Sequence, residues 1–196
     1  MTARWVVDEV RPARDLRVTW QPISLFFKNE PPIDTPYGER TKFTHDLLRV
    51  MESVRAADGV TAVEANTAVE RLYWELGRRQ HHDRDPDGYT ASDALASVGL
   101  DPLHAAAFDD ASWDAEIRRR MDEGIALCGE DVGTPIIALT DRHGDKQGYF
   151  GPVITRVPPT EDALAMWDAL VAMMNVQGFW ELKRTRTERP DFGERP

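Results

Sequence analysis

Cysteine is nearly absent from this chain: Cys128 is the only one in 196 residues. A lone thiol excludes an internal disulfide and suits a reducing compartment. No apolar run approaches the ~18 residues of a membrane-spanning helix. Near the N-terminus Asp8, Glu9 and Arg11 interrupt the short apolar patch, so no secretory leader is legible there. Basic residues number 24 against 34 acidic ones, and a formal net charge of −10 leaves no basic face for nucleic acid. A glycine-rich phosphate loop is missing, as is a Ser-His-Asp pattern with a nucleophile elbow. Repeats and low-complexity tracts are missing too. A cytoplasmic protein that engages neither nucleic acid nor membrane is expected.

What remains is ordinary material for a packed core, with 41% hydrophobic residues and a mean hydropathy of −0.49. The length favours one domain with room for an insertion. Ala3, Val6, Val7 and Val10 have helical spacing, and Pro12 is expected to stop that helix. Leu16, Val18 and Trp20 then alternate with Arg17, Thr19 and Gln21, which predicts a strand. A proline-broken polar loop spans 28–40. From Thr41 to about Leu127 the chain reads as helices, with stripes at Phe43, Leu47, Leu48, Met51 and at Val63, Val69, Leu72, Tyr73, Leu76. A long helix over 114–127 carries Ile117, Met121 and Ile125 inward, and Arg118, Arg119 and Arg120 outward. Two strands follow, near 135–140 and 147–154, joined by a tight Asp141–Asp145 turn. Pro158-Pro159-Thr160-Glu161 opens a last helix with Leu164, Met166, Trp167, Leu170, Met173 and Met174, ended by Gly178.

The most informative stretch is Gly129-Glu130-Asp131-Val132-Gly133-Thr134-Pro135-Ile136-Ile137-Ala138-Leu139. It turns after a helix and opens a strand with proline, a position where the missing N–H breaks no ladder. Together with the hairpin, Gly148-Tyr149-Phe150-Gly151-Pro152, and the segment from Phe179 to Glu188, it resembles the DsbA-like thioredoxin superfamily. The similarity is closest to the actinobacterial mycothiol-dependent oxidoreductases, a branch that includes nitroreductases. This resemblance implies an α/β thioredoxin-like fold with a helical insertion. It assigns 1–40 and 128–196 to the thioredoxin-like domain and 41–127 to the inserted helical domain. It also implies a cis-proline at Thr134–Pro135 and a substrate-binding set of Thr134, Pro135, Asn29, Tyr37 and His81. The reaction implied is thiol–disulfide exchange or thiol-supported reduction of small electrophiles. Mycothiol is then the thiol co-substrate, a small molecule or disulfide the substrate, and no cofactor is bound. In that family a strand and a Cys-Pro-x-Cys or Cys-Pro-x-Ala motif precede the segment matching Met1–Trp5. The first strand and the catalytic cysteine are therefore expected to be missing from this chain, which would be inactive by itself.

Plainer readings stand beside these. Asn29, Tyr37 and His81 also suit a loop amide, a half-buried aromatic and a helix-end histidine favoured by the dipole. Cys128 falls at a helix C-terminus beside Glu130 and Asp131, a setting that disfavours a thiolate and suits a structural thiol. His81-His82 is a poor metal pair, because adjacent helical side chains diverge by about 100° and rarely share one ion. Asp83, Asp85 and Asp87 mimic the start of a calcium loop, but Pro86 occupies its fourth position and Ala94 its twelfth, where a bidentate Glu is required. Lys183, Arg184, Arg186 and Arg189 read as a solvated tail pinned by Phe179, Trp180 and Leu182, or as an anion site. Two other functions stay open: a thiol- or small-molecule-binding protein without catalysis, and a glutathione-transferase-like enzyme.

Overall fold

In a computed structural model that describes residues 1–83 and 88–194, the N-terminal spacing does form a helix, α1 (residues 2–14). It is α-helical over Thr2–Arg4, widens to a π-helical turn over Trp5–Val10 and resumes as α-helix over Arg11–Arg14. Pro12 does not stop it. Proline lacks an N–H, and here it enters directly after the widened turn, where the Arg11 N–H already reaches back to the Val6 carbonyl. The helix ends instead at Asp15, in the left-handed region with φ 49°.

The strand expected at Leu16–Gln21 is not made. Leu16, Val18 and Trp20 are half-buried and Arg17, Thr19 and Gln21 exposed, so the alternation itself is real. Among the described residues the sheet has two strands, both later in the chain. The alternation reflects packing rather than a ladder: Leu16 lies on one apolar cluster and Trp20 on another.

Those clusters belong to two compact units, one built from Met1–Val18 and Gly124–Gly193, the other from Thr19–Glu123. The first holds β1 (Ile136–Thr140) and β2 (Lys146–Phe150), antiparallel with Ile136 opposite Phe150 and Thr140 opposite Lys146. Asp141 closes the turn, its carboxylate accepting the N–H groups of His143 and Asp145 at 2.8 and 2.9 Å. β2 stops short of residue 154 because Gly151 turns to φ 102°. Gly148 is required for a different reason. A Cβ there would lie 2.6 Å from the Cβ of Leu127.

A helix over Thr160–Met174 packs on α1 through Ala163, Trp167, Leu170 and Met174. Its apolar positions are those expected, although it ends at Met174, before Gly178. Trp5 is completely buried there, and its indole N–H donates to the Ala163 carbonyl at 2.9 Å. Its ring meets the edge of Trp167 at 5.8 Å. Arg14 adds a two-pronged bond to Asp168 at 2.9 and 2.6 Å.

The second unit is helical. Its elements include α2 (Leu25–Asn29), α3 (Pro36–Arg55), α4 (Ala62–His82) and α5 (Ala91–Ser97), followed by two 3-10 turns, Pro102–Asp109 and Ala111–Trp113. The long helix α6 (Asp114–Cys128) comes next and carries the chain into the first unit; the Thr160–Met174 helix is α7. Thr35, Thr61 and Thr90 cap α3, α4 and α5, the last two in reciprocal capping boxes with Glu64 and Asp93. Leu47, Val50, Val54, Val69, Leu72, Leu76 and Leu95 make the core.

Two expectations change in this unit. Val63 is 74% exposed, because it sits in the first turn of α4, before the helix reaches its neighbours. Arg120 turns inward to the buried Glu52, at 3.0 Å, since that carboxylate needs cations that Arg55 alone does not exhaust. A large-to-small change at a buried core site costs about 2–5 kcal/mol. Leu72→Ala is therefore expected to lower unfolding free energy by that amount, and Val63→Ala by less than ~0.5 kcal/mol. Urea titration of both variants checks the contrast.

Candidate functional site

In the first unit the proline-opened strand is tied to the start of α1. The Thr134–Pro135 and Gly151–Pro152 bonds are both cis. The Pro135 carbonyl accepts the Gly151 N–H at 2.8 Å. The Pro152 carbonyl accepts the Thr2 hydroxyl at 2.7 Å. Thr134 is exposed and Pro135 half-buried, next to this line of bonds. The pairing of Pro135 with Gly151 fixes the ladder parity. Ile137 and Leu139 direct their N–H and C=O groups to β2, while Ile136, Ala138 and Thr140 direct theirs to the opposite edge. That edge can accept an extended ligand by backbone pairing.

In the second unit the structure brings Asn29 and Tyr37 together. Asn29 is the last residue of α2 and Tyr37 lies in the first turn of α3. The Asn29 amide donates to the Tyr37 hydroxyl at 2.5 Å, and both residues are exposed. Their approach depends on Gly38, where a Cβ would come 2.0 Å from the Pro32 carbonyl oxygen. Thr35 completes the corner: its hydroxyl donates to that carbonyl at 2.7 Å and accepts the Gly38 N–H at 3.0 Å. His81 lies in the same unit, exposed on the last turn of α4.

A buried network that sequence reasoning missed stands behind α2. Ser24, 1% exposed, caps α2 by accepting the Phe27 N–H at 3.0 Å. Its hydroxyl lies 3.0 Å from Nδ1 of His45, whose Nε2 lies 3.0 Å from an Asp114 oxygen. Arg49 grips both oxygens of Asp114, at 2.6 and 2.8 Å, and reaches the Phe108 carbonyl at 3.1 Å. Burial pushes His45 below its ordinary range, with Asp114 pulling the other way. Burial also opposes ionisation of Asp114, but Arg49 and His45 outweigh it and hold the carboxyl low.

Ser24, His45 and Asp114 form a serine–histidine–acid chain, yet not a hydrolase triad. The serine is sealed from solvent, is occupied as a helix cap, and sits on the opposite ring nitrogen from the usual nucleophile. Ser24 and His45 are 21 positions apart, His45 and Asp114 69, so no local motif announced the set.

Other candidates resolve plainly. Cys128 is half-buried at the C-terminal end of α6, and burial raises its pKa. The Asp83–Gly88 calcium-like stretch runs through residues 84–87, which lie outside the described residues. Among the described residues no three His, Cys, Asp or Glu side chains are placed to hold a metal ion. No helix there is long and apolar enough to cross a membrane. The basic tail is not pinned as expected. Trp180 and Leu182 are 85% and 79% exposed, and only Phe179 packs, with its carbonyl taking the Tyr149 hydroxyl at 2.8 Å. A polar partner for the carbonyl decides which aromatic docks.

The hairpin, the proline before β1, the helices on either side and the long helical insertion define a thioredoxin-like α/β protein. Over residues 1–184 the chain matches the family described as Rv2466c-like, mycothiol-dependent nitroreductase Rv2466c, and it belongs to that family. The chemistry of that family is thiol-dependent reduction, with mycothiol, a low-molecular-weight thiol, as the partner.

Cys128 is expected to react slowly. Its alkylation by iodoacetamide should reach half its limiting rate at a pH above the ~8.5 of a free cysteine. A midpoint near pH 7 would mean an activated thiolate at the end of α6.

Proposed function

We propose that residues 1–196 form the thiol- and substrate-binding body of a cytoplasmic oxidoreductase of the DsbA-like type. It uses mycothiol to reduce small electrophiles or to exchange disulfides. The observation that carries this reading is the family match together with the Thr134–Pro135 edge tied, through Gly151 and Pro152, to the first turn of α1. Free backbone N–H groups at a helix start favour negative charge, the setting a thiolate nucleophile needs. Thr134 is assigned to pair with an extended thiol along the open edge of β1, with Pro135 lining the contact beside it. In the second unit Asn29, Tyr37 and His81 are assigned as thiol contacts. The amide and phenol offer donors and acceptors suited to the sugar hydroxyls and amides of mycothiol.

Each turnover oxidises two thiols to a disulfide and delivers two electrons and two protons to the electrophile or to the disulfide being cleaved. The nucleophile in such a cycle is not Cys128, which has the C-terminal end of a helix behind it and a pKa raised by burial. The reading assigns that role to a thiol other than Cys128. The same observation favours a second reading, a mycothiol-binding protein without catalysis.

The purified 196-residue chain is expected to bind mycothiol by calorimetry while turning over mycothiol disulfide, or reducing insulin, only at background rate. Turnover abolished by Cys128→Ser would overturn the assignment of the nucleophile. Absence of mycothiol binding would overturn both readings.

A further inference from the structure

The corner that presents Asn29 stands on a relay whose donors and acceptors can be assigned one by one. Asp114, paired with Arg49, is ionised and can only accept, so Nε2 of His45 carries a proton and donates to it. Nδ1 is then free to accept, and the Ser24 hydroxyl donates to it. The Ser24 oxygen in turn accepts the Phe27 N–H and fixes the start of α2. Because α2 is only the five residues Leu25–Asn29, its cap and Asn29 belong to a single turn and a half. The His45 ring is also packed against two tilted phenylalanine rings. Phe27 lies 4.2 Å from it, centroid to centroid, with the Arg118 guanidinium 4.3 Å from the Phe27 ring, and Phe26 lies at 5.7 Å.

We infer that His45 is a positioning residue for the thiol site: its neutral, Nε2-protonated form holds α2 through Ser24 and so sets Asn29 against Tyr37. This rests on the assignment of Asn29 and Tyr37 as thiol contacts. Protonating Nδ1 turns an acceptor into a donor. The Ser24 hydroxyl then loses its acceptor in a site almost sealed from water, and its oxygen faces two donors at once. The cap of this short helix is weakened, and Asn29 at its far end moves with it.

The charged groups around His45 fix the pH window. On its own helix are Asp46 and Arg49, with Lys42 bound to Asp46 at 2.6 Å. From α6 come Asp114 and, across Phe27, Arg118. From the 3-10 segment Asp110 acts on Arg49. Burial outweighs the carboxylates, so the ring takes up its proton below its ordinary value of 6.5. The folded form binds this proton less readily than the unfolded chain. The neutral arrangement is thus complete at pH 7 and above, and is lost as pH falls below 6.5 toward the folded value.

The Asn29 side-chain amide is the reporter. In nuclear magnetic resonance spectra its signals are expected to shift between pH 7.5 and 5 with the same midpoint as the His45 ring nitrogens. Independent midpoints, or an Nδ1-protonated tautomer at neutral pH, would overturn the inference with no reference to thiol binding. Calorimetry with mycothiol supplies the second readout. His45→Gln keeps a donor for Asp114 but offers Ser24 nothing, and its affinity should fall about fivefold to tenfold, the equivalent of one hydrogen bond. His45→Asn offers Ser24 an acceptor that does not titrate. It should bind like wild type at pH 7.5 and lose the pH dependence. Ser24→Ala, which leaves the His45–Asp114–Arg49 bonds intact, should match His45→Gln. Equal affinity in all three variants would overturn the positioning role. Wild type that fails to bind mycothiol while the Asn29 amide still tracks His45 would refute the thiol assignment alone.

Discussion

Asp114 is the anchor on which the helical unit depends. A half-buried carboxylate is costly unless its lone pairs are taken, and here Arg49 and His45 take them. Its place at the first residue of α6 adds the favourable end of a helix dipole. One side chain thereby joins α3 to α6 and, through His45 and Ser24, to α2. Removing it would leave the Arg49 guanidinium with Asp46 as its counter-charge and the Nε2–H of His45 without its acceptor, a loss of a different order from trimming a leucine. The first unit is organised by another principle. There Trp5 fills the centre, and the only polar atom it brings inside finds the Ala163 carbonyl.

Much of this was legible in the order of residues, because the signals were local. The hairpin from Ile136 to Phe150 announces itself through proline, alternation and an Asp-rich turn. The apolar positions of α7 and of α3 recur at helical spacing and are buried as that spacing requires. Failures occurred where the deciding partner lies far along the chain. Leu16–Gln21 alternates as a strand does, yet strand formation depends on a neighbouring backbone, which periodicity does not report. Arg120 looks solvent-facing by helical count, and only the distant, buried Glu52 explains why it turns in. Pro12 reads as a stop, but a widened helical turn removes the conflict that makes proline a breaker.

The candidate site divides in the same way. The Thr134–Pro135 edge was visible because glycine, proline and an apolar run are adjacent in sequence. Asn29 and Tyr37 were named through family likeness, and their hydrogen bond gives the pair a physical reason to act together. The Ser24–His45–Asp114 relay left no trace a reader could follow, since a serine before a short apolar run and a histidine inside a helix each have commonplace explanations. It becomes meaningful only when the three are seen in one line.

Gly38 carries a consequence for how this corner can vary. Its α-hydrogen faces the Pro32 carbonyl where any β-carbon would collide with backbone, and backbone cannot rotate aside as a flexible side chain can. The position therefore admits one amino acid, while its neighbours Glu39 and Arg40, both exposed, admit many. In descendants of this chain the loop and the first turn of α3 would drift around a fixed point. The spacing from Pro32 to Tyr37 would outlast the identity of nearly everything between them.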